Sequence, residues 1–167
     1  MDWILTPYDR IPNYGKFPTV RSVRSGEWSD PSIWSTGSVP TQGSVVSVEH
    51  DVAFDVTIPN DQWLKSLVVK NGGALRFYPT INVSLAVCNL IVLEGGYLQI
   101  GTQANLISAN VKAHVHFPDV PIDTVYDPEQ YGHGLLVLGK VTMHGTPKTS
   151  FVRIREAKSG DTALLVA

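Results

Sequence analysis

Two histidines two positions apart stand out in the segment KAHVHFPD. On a β-strand, residues at i and i+2 point to the same side, so His114 and His116 would share one face. Two imidazoles at this spacing can form half of a metal site, which Asp119, Asp123 or His50 from a neighbouring coil would complete. The pattern also fits ordinary polar residues on an exposed sheet face. The sequence leaves both interpretations open.

Carboxylates are concentrated in the proline-rich stretch PDVPIDTVYDPEQYGHG. Polysaccharide hydrolases and lyases use carboxylates as acid, as base or as calcium ligands, and calcium is therefore a candidate cofactor. Asp119 and Asp123, together with His144, are the candidate catalytic residues. Aspartate and proline are also what a solvated loop contains, so a loop without chemistry is the alternative.

Aromatic and arginine side chains form a second candidate site. The apolar faces of sugar rings stack on aromatic rings, and arginine pairs with anionic groups. If Phe77 and Leu98 face the core, the alternation of a strand turns Arg76 and Tyr97 outward. The sequence thus predicts a surface for an anionic polysaccharide, formed by Arg76, Tyr78, Tyr97, Arg153 and Arg155.

These residues lie on a repeated unit. SLVVKNGGALRFY and NLIVLEGGYLQIG each contain an alternating apolar strand, a Gly-Gly pair and a second strand, and Gly72 and Gly95 are 23 residues apart. A fixed period of about 20 to 25 residues in a strand-rich chain is typical of a solenoid. We therefore predict an all-β fold, a right-handed parallel β-helix, over an antiparallel sandwich. The glycines would allow positive φ and close backbone approach at corners.

The same unit returns in LLVLGKVTMHG, where Gly139 follows Gly96 by 43 residues. This is about two periods, and the segment NLISANVKAHVHF is predicted to form the missing rung. Residues 1–44 hold three of the four tryptophans and are expected to cap the coils of residues 45–167. An apolar strand is still running at Ala167, so a further coil of a longer parent chain is expected to follow it.

Composition excludes some function classes. The net charge of -2 gives no basic surface for nucleic acid, and no apolar run approaches the roughly 20 residues that span a bilayer. Neither a nucleic-acid partner nor membrane insertion is therefore expected. Cys88 is the single cysteine, which excludes an internal disulfide framework and a multi-cysteine metal site, and its apolar surroundings predict a buried side chain.

The chain resembles the G8 domain over about residues 23–155. G8 domains are glycine-rich β modules of extracellular proteins, among them hyaluronan-binding and hyaluronan-degrading proteins and fibrocystin-like surface proteins. LEGGYLQIGT resembles a glycine-bearing strand pair of the family, and Met143 to Pro147 resembles its closing element. The remaining matching features lie at the start of the domain: Trp28, Trp34, Gly37, Pro40, Gly43, the strand from Val45 to Val48, and Val52 to Asp55.

The resemblance implies a secreted or cell-surface protein with a polysaccharide partner such as hyaluronan. It implies no catalytic residue in this segment, although His144 falls in the closing element. The expected function is a binding or scaffolding module of a larger protein. Two alternatives stay open: the N-terminal part of a glycan hydrolase or lyase, and a structural spacer in an adhesin or fibre.

Overall fold

The computed structural model describes residues 3–147 and, further on, the backbone of two short strands. The fold is all-β, with one short 3-10 turn at Pro31–Ile33. The strands are β1 (Trp3–Leu5), β2 (Arg10–Pro12), β3 (Val20–Arg21), β4 (Gly26–Glu27), β5 (Val45–Val48), β6 (Asp51–Phe54), β7 (Leu64–Val69), β8 (Ala74–Phe77), β9 (Val83–Val92), β10 (Tyr97–Ile100), β11 (Ala113–His116), β12 (Leu135–Val137), β13 (Lys140–Met143), β14 (Ile154–Glu156) and β15 (Leu165–Val166).

Most strands belong to two parallel sheets, and the chain passes back and forth between them. One sheet has the order β11-β9-β7-β5-β3, with β12 also pairing with β9, and the other has the order β13-β10-β8-β6-β4. β1 pairs with β2 and β14 pairs with β15, both antiparallel. We call the two parallel sheets the six-stranded and the five-stranded sheet.

The register of the sheets confirms the sequence repeat. In the six-stranded sheet Val48 pairs with Val69, and Val69 pairs with Val92. In the five-stranded sheet Ala74 pairs with Asp51 on one side and with Tyr97 on the other. Each of the latter two steps is 23 residues long. The copies of the repeated sequence therefore lie on neighbouring paired strands, each copy stacked on the next.

The core lies between the two sheets and is built from rows of equivalent residues. Val52, Leu75 and Leu98 follow one another in register and are fully buried. Phe54 contacts Trp28 at a ring-centroid distance of 5.0 Å. Trp28 also contacts Trp34, so these two tryptophans close one end of this core.

The two glycines of each Gly-Gly pair serve different purposes. Gly72 and Gly95 have φ values of 80° and 75°, a region that side chains disfavour. Gly73 and Gly96 lie against the backbone of the preceding coil. A Cβ on Gly96 would sit 2.5 Å from the carbonyl oxygen of Val69. Both expected reasons for the pairs, positive φ and close approach, are confirmed.

The prediction of a missing rung between Gly96 and Gly139 is wrong. β10 pairs directly with β13, with Tyr97 opposite Lys140. The 43-residue spacing is therefore a single step between two paired strands, and this step carries a long loop, residues 101–134. This loop supplies β11, which pairs with the first half of β9, while β12 pairs with the second half.

The N-terminal segment, residues 3–19, packs on the outer face of the six-stranded sheet. Gly15 lies so close to Val68 that a Cβ there would come within 2.1 Å of a valine methyl group. Residues 20–34 behave differently, because β3 and β4 form one edge strand of each sheet. The predicted cap of residues 1–44 thus includes both a cover and the first strands of the stack.

Candidate functional site

The outer face of the five-stranded sheet carries the predicted Arg76 and Tyr97. Their neighbours Phe77 and Leu98 are buried, which confirms that the alternation turns Arg76 and Tyr97 outward. Parallel register aligns the residues of neighbouring strands, so side chains from several coils meet on this face. We call it the Arg76–Lys140 face, and its members are Asp51, Arg76, Tyr97, Gln99, Lys140 and Thr142.

Arg76 is held at a fixed position by two neighbours. Its Nε donates to both carboxylate oxygens of Asp51 at 2.8 and 2.9 Å, and its Nη1 donates to Gln99 Oε1 at 2.5 Å. The side chains of Arg76 and Asp51 remain 38% and 51% exposed, so solvent screens this ion pair. The contacts orient the guanidinium more than they stabilise the fold.

Tyr97 lies between two cations. The Arg76 guanidinium carbon is 5.1 Å from the centre of the Tyr97 ring, and the Lys140 ammonium is 5.0 Å from it. The cations come from β8 and β13, which flank β10 on opposite sides, and both lie within cation–π distance of the ring. The Tyr97 hydroxyl shares a hydrogen bond of 2.7 Å with Thr142 Oγ1. Tyr97 therefore contacts both cations on this face.

Lys140 was not predicted from the sequence as a site residue. Its side chain is exposed, and within residues 3–147 no carboxylate pairs with it. The sequence repeat nevertheless contains a signal for Lys140. Gly139 and Lys140 occupy the same positions in their repeat as Gly96 and Tyr97 in the preceding repeat. Aligning Gly139 with Gly96 and taking the next residue in each repeat identifies Lys140 as the counterpart of Tyr97.

Other residues of the predicted surface lie apart from this contact. The Tyr78 hydroxyl donates to Glu27 Oε1 at 2.7 Å, and this hydrogen bond raises the pKa of Tyr78. Tyr78 also packs against the core, so it is partly structural. Arg153 lies outside the described residues. Arg155 is on β14, where only the backbone is described.

The predicted metal ligands do not converge in the part of the chain that the structure describes. His114 and His116 lie on β11, with ring centres 6.1 Å apart. His114 is exposed and His116 is half-buried, and Asp119 is exposed on the loop beyond them. Within residues 3–147 no three histidine, cysteine, aspartate or glutamate side chains form a group that would hold a metal ion.

The carboxylates of the long loop are engaged with its own backbone. Asp123 Oδ1 accepts the amides of Val125 and Tyr126 at 3.0 and 3.1 Å. Asp127, which is 1% exposed, accepts the amides of Tyr131 and Gly132 at 3.0 and 2.8 Å. These bonds give the loop its shape.

His144 is exposed beyond the end of β13, and its carbonyl accepts the amide of Ile107, at the start of the long loop, at 3.0 Å. Its backbone closes a corner, since its amide donates to the Ile100 carbonyl at 2.9 Å. The catalytic candidates Asp119, Asp123 and His144 are therefore not brought together as one cluster.

A cleft of about 780 Å³ lies between the N-terminal segment and the long loop. Its floor is the outer face of the six-stranded sheet, with Lys65, Cys88 and Asn89, and Phe17 and Tyr126 stand on its two sides. Burial raises the pKa of the Cys88 thiol. No periodic pattern in the sequence predicts this cleft, because its sides come from segments more than 100 residues apart.

Contacts between these segments fix the sides of the cleft. Tyr131 donates to Asp9 at 2.8 Å, and the rings of Trp3 and Tyr126 stack at 6.5 Å. The Tyr14 hydroxyl is buried beside Asp127 without reaching hydrogen-bond geometry. Burial, and then the neighbouring carboxylate, raise the pKa of Tyr14 well above its ordinary value.

Within the described residues, no helix has the length and apolar character needed to cross a membrane. The family model of the G8 domain matches residues 33–155. Fibrocystin-L of Homo sapiens is 28% identical over 149 residues, which cover 83% of this chain and 3% of that protein. Fibrocystin-L of Mus musculus is 30% identical over 128 residues, covering 72% of this chain and 3% of that protein. No solved structure shows a significant match.

The chain thus spans a small part of the length of these relatives, about 3% of each. The family match covers most of the sequence, including both Gly-Gly pairs and the whole Arg76–Lys140 face. On this evidence the chain belongs to the G8 domain family.

Proposed function

We propose that this G8 domain is an extracellular polysaccharide-binding module that holds an anionic glycan, such as hyaluronan, on the Arg76–Lys140 face. The observation that carries the proposal is the placement of two cations around Tyr97 on one solvent-facing sheet. Arg76 and Lys140 lie two strand spacings apart, roughly 10 Å. Fixed cations lose little side-chain entropy when they meet a carboxylate or sulfate.

The architecture suits an extended ligand. We infer that the two parallel sheets are faces of a right-handed parallel β-helix. The alternation of successive strands between the sheets supports this, and parallel crossovers strongly prefer the right hand. Equivalent residues of successive coils then form rows along the outside, and a linear polymer can contact several coils at once.

The setting is proposed from family membership. We infer a secreted or cell-surface protein of which this domain is one module. The match to about 3% of the length of each fibrocystin-L supports a modular arrangement.

A binding module is favoured over a glycan hydrolase or lyase. A carboxylate that acts as an acid or a base must reach its substrate. Two of the loop carboxylates, Asp123 and Asp127, already accept backbone amides. A spacer without ligand would not need a cation held on each side of an outward tyrosine.

The test is binding of the domain to a panel of anionic and neutral polysaccharides, with calcium and with a chelator. We expect saturable binding of anionic chains and a loss of about tenfold or more in affinity for Lys140→Gln, a change of about 1.4 kcal/mol. The matched control is Lys65→Gln, which removes an exposed lysine at the cleft on the other sheet.

Each outcome separates one alternative. If Lys65→Gln weakens binding and Lys140→Gln does not, the ligand occupies the cleft and the proposed face is wrong. Shortened polysaccharide after incubation would show an enzyme. The absence of binding to every polysaccharide would support a spacer.

A further inference from the structure

The turn that leads into β9 contains an acceptor sequence for N-linked glycans. Asn82-Val83-Ser84 is the single Asn-X-Ser/Thr triplet in the 167 residues. Such a triplet occurs often by chance, and it means something only where the folded protein leaves room for a glycan. The surroundings of Asn82 therefore decide whether the site is compatible with the fold.

Asn82 is exposed, and so are the preceding Thr80 and Ile81. Its amide oxygen Oδ1 accepts the backbone amide of Lys112 at 2.8 Å. A glycan attaches to the other end of the amide, at Nδ2. The described contact of Asn82 is thus preserved when Nδ2 carries a sugar, and the folded structure has no need to change.

We propose that Asn82 is an N-glycosylation site of this domain, an inference that rests on the proposed secretory setting. The donor is an oligosaccharide linked to a lipid pyrophosphate. Nδ2 forms a bond to C1 of the first sugar, the bond between C1 and the pyrophosphate oxygen breaks, the lipid pyrophosphate leaves, and the amide loses one proton. Transfer precedes folding, so the half-buried position of Ser84 does not prevent it.

The position of Asn82 also assigns a purpose to the glycan. The hydrogen bond from the Lys112 amide to Asn82 lies immediately before the first residue pair between β9 and β11. β11 is the last strand of the six-stranded sheet on this side within the described residues. Unpaired strand edges promote association between molecules, and a bulky hydrated group beside them opposes it. A glycan on Asn82, beside the residue that precedes β11, would oppose such association.

The experiment expresses the domain behind a cleavable secretion signal in mammalian cells and treats the product with peptide-N-glycosidase. We expect the secreted wild type to shift to lower mass on treatment, and Asn82→Gln and Ser84→Ala each to lack the shift. Asn110→Gln is the matched control, since Asn110 is also exposed but lies outside any triplet. It should keep the full shift.

The outcomes are distinguishable. A secreted wild type without a shift overturns the assignment of Asn82 while leaving the polysaccharide proposal intact. Retention of the wild type inside the cell as unmodified protein overturns the secretory setting and the glycan with it. Sedimentation then tests whether the glycan opposes association between molecules. Asn82→Gln should self-associate at concentrations where the glycosylated protein is monomeric. Equal association of the two would overturn that role.

Discussion

Single glycines set the tightest local constraints in this molecule. Gly73, Gly96 and Gly139 occupy equivalent turns of three successive repeats, and each lies against backbone carbonyl groups of the repeat before it. A Cβ on Gly139 would sit 2.3 Å from the Leu93 carbonyl oxygen. Backbone cannot retreat as the end of a flexible side chain can, so even one methyl group forces neighbouring coils apart.

We expect Gly96→Ala to lower the free energy of unfolding by about 1–3 kcal/mol, the usual cost of overpacking. Its φ is not positive, so the effect would come from contact and not from backbone strain. Urea denaturation followed by circular dichroism measures it. Gly134→Ala is the control, because nothing lies within 4 Å of a Cβ there, and it should change stability by less than about 0.5 kcal/mol. Equal stabilities of the two variants would show that the coils separate at little cost.

At the scale of elements, the N-terminal segment and the long loop depend on each other. Outer-face residues of the six-stranded sheet such as Val68 and Ile91 are buried, although they point away from the core between the sheets. Their burial comes from these two covering segments. Asp127 holds the shape of the loop, and the loop in turn holds the segment through the bond from Tyr131 to Asp9.

Cys88 is a built-in reporter of this cover, since it is 6% exposed at the floor of the cleft. Gly15→Ala would push the segment off Val68, whose branched side chain is stiff. We expect the Cys88 thiol to react several-fold faster with an aromatic disulfide reagent in this variant. Tyr8→Ala, at a side chain that is 94% exposed, should leave the rate unchanged.

The free energy of global unfolding must be measured on the same samples. If the Cys88 reaction rate in Gly15→Ala rises only as much as the loss of global stability explains, local detachment of the segment would be excluded. An unchanged reaction rate in Gly15→Ala would exclude it as well.

At the scale of the whole molecule, charge is distributed unevenly. The net charge is -2, so an anionic polymer is repelled on average and must be attracted locally. Attraction to exposed cations is screened by salt, over about 8 Å at physiological ionic strength and about 3 Å at 1 M. The Arg76–Lys140 face should therefore bind only when salt is moderate.

We expect binding of an anionic polysaccharide to weaken steadily as sodium chloride is raised from 0.05 to about 1 M, a range over which screening becomes nearly complete. A neutral polysaccharide of similar length is the control and should show no such dependence. Affinity electrophoresis or calorimetry at each salt concentration would measure both. Binding of the anionic chain that does not respond to salt would exclude the exposed cations as its basis.

The parts of the fold that could be predicted are those set by local repetition. The steps from Val48 to Val69 and to Val92 follow from spacing alone, as do the buried Phe77 and the outward Arg76. The spacing from Gly96 to Gly139 led to the wrong prediction of an additional rung, because a long loop and an additional coil can contain the same number of residues. Only the hydrogen-bonded register of Tyr97 with Lys140 distinguishes them.

The candidate site was predicted in part for the same reason. Arg76 and Tyr97 lie on adjacent repeats, and their contact follows from the period. Lys140 and Tyr97 are separated in the sequence by the long loop. The cleft depends on contacts such as that of Tyr131 with Asp9, which are 122 residues apart. No pattern within a short window predicts the contact of Tyr131 with Asp9, and Lys140 could be found only by aligning Gly139 with Gly96.

The corner that carries residues 101–134 has a practical consequence. β13 continues the stack on β10 in the same register that β8 and β10 share, although one connection is 20 residues longer than the other. The coils therefore tolerate a change of length at this point without rearrangement. Foreign peptides grafted here, such as an epitope or a fluorescent tag, would be displayed on a scaffold that need not adapt to them, and G8 domains of different lengths can be expected to diverge at this corner first.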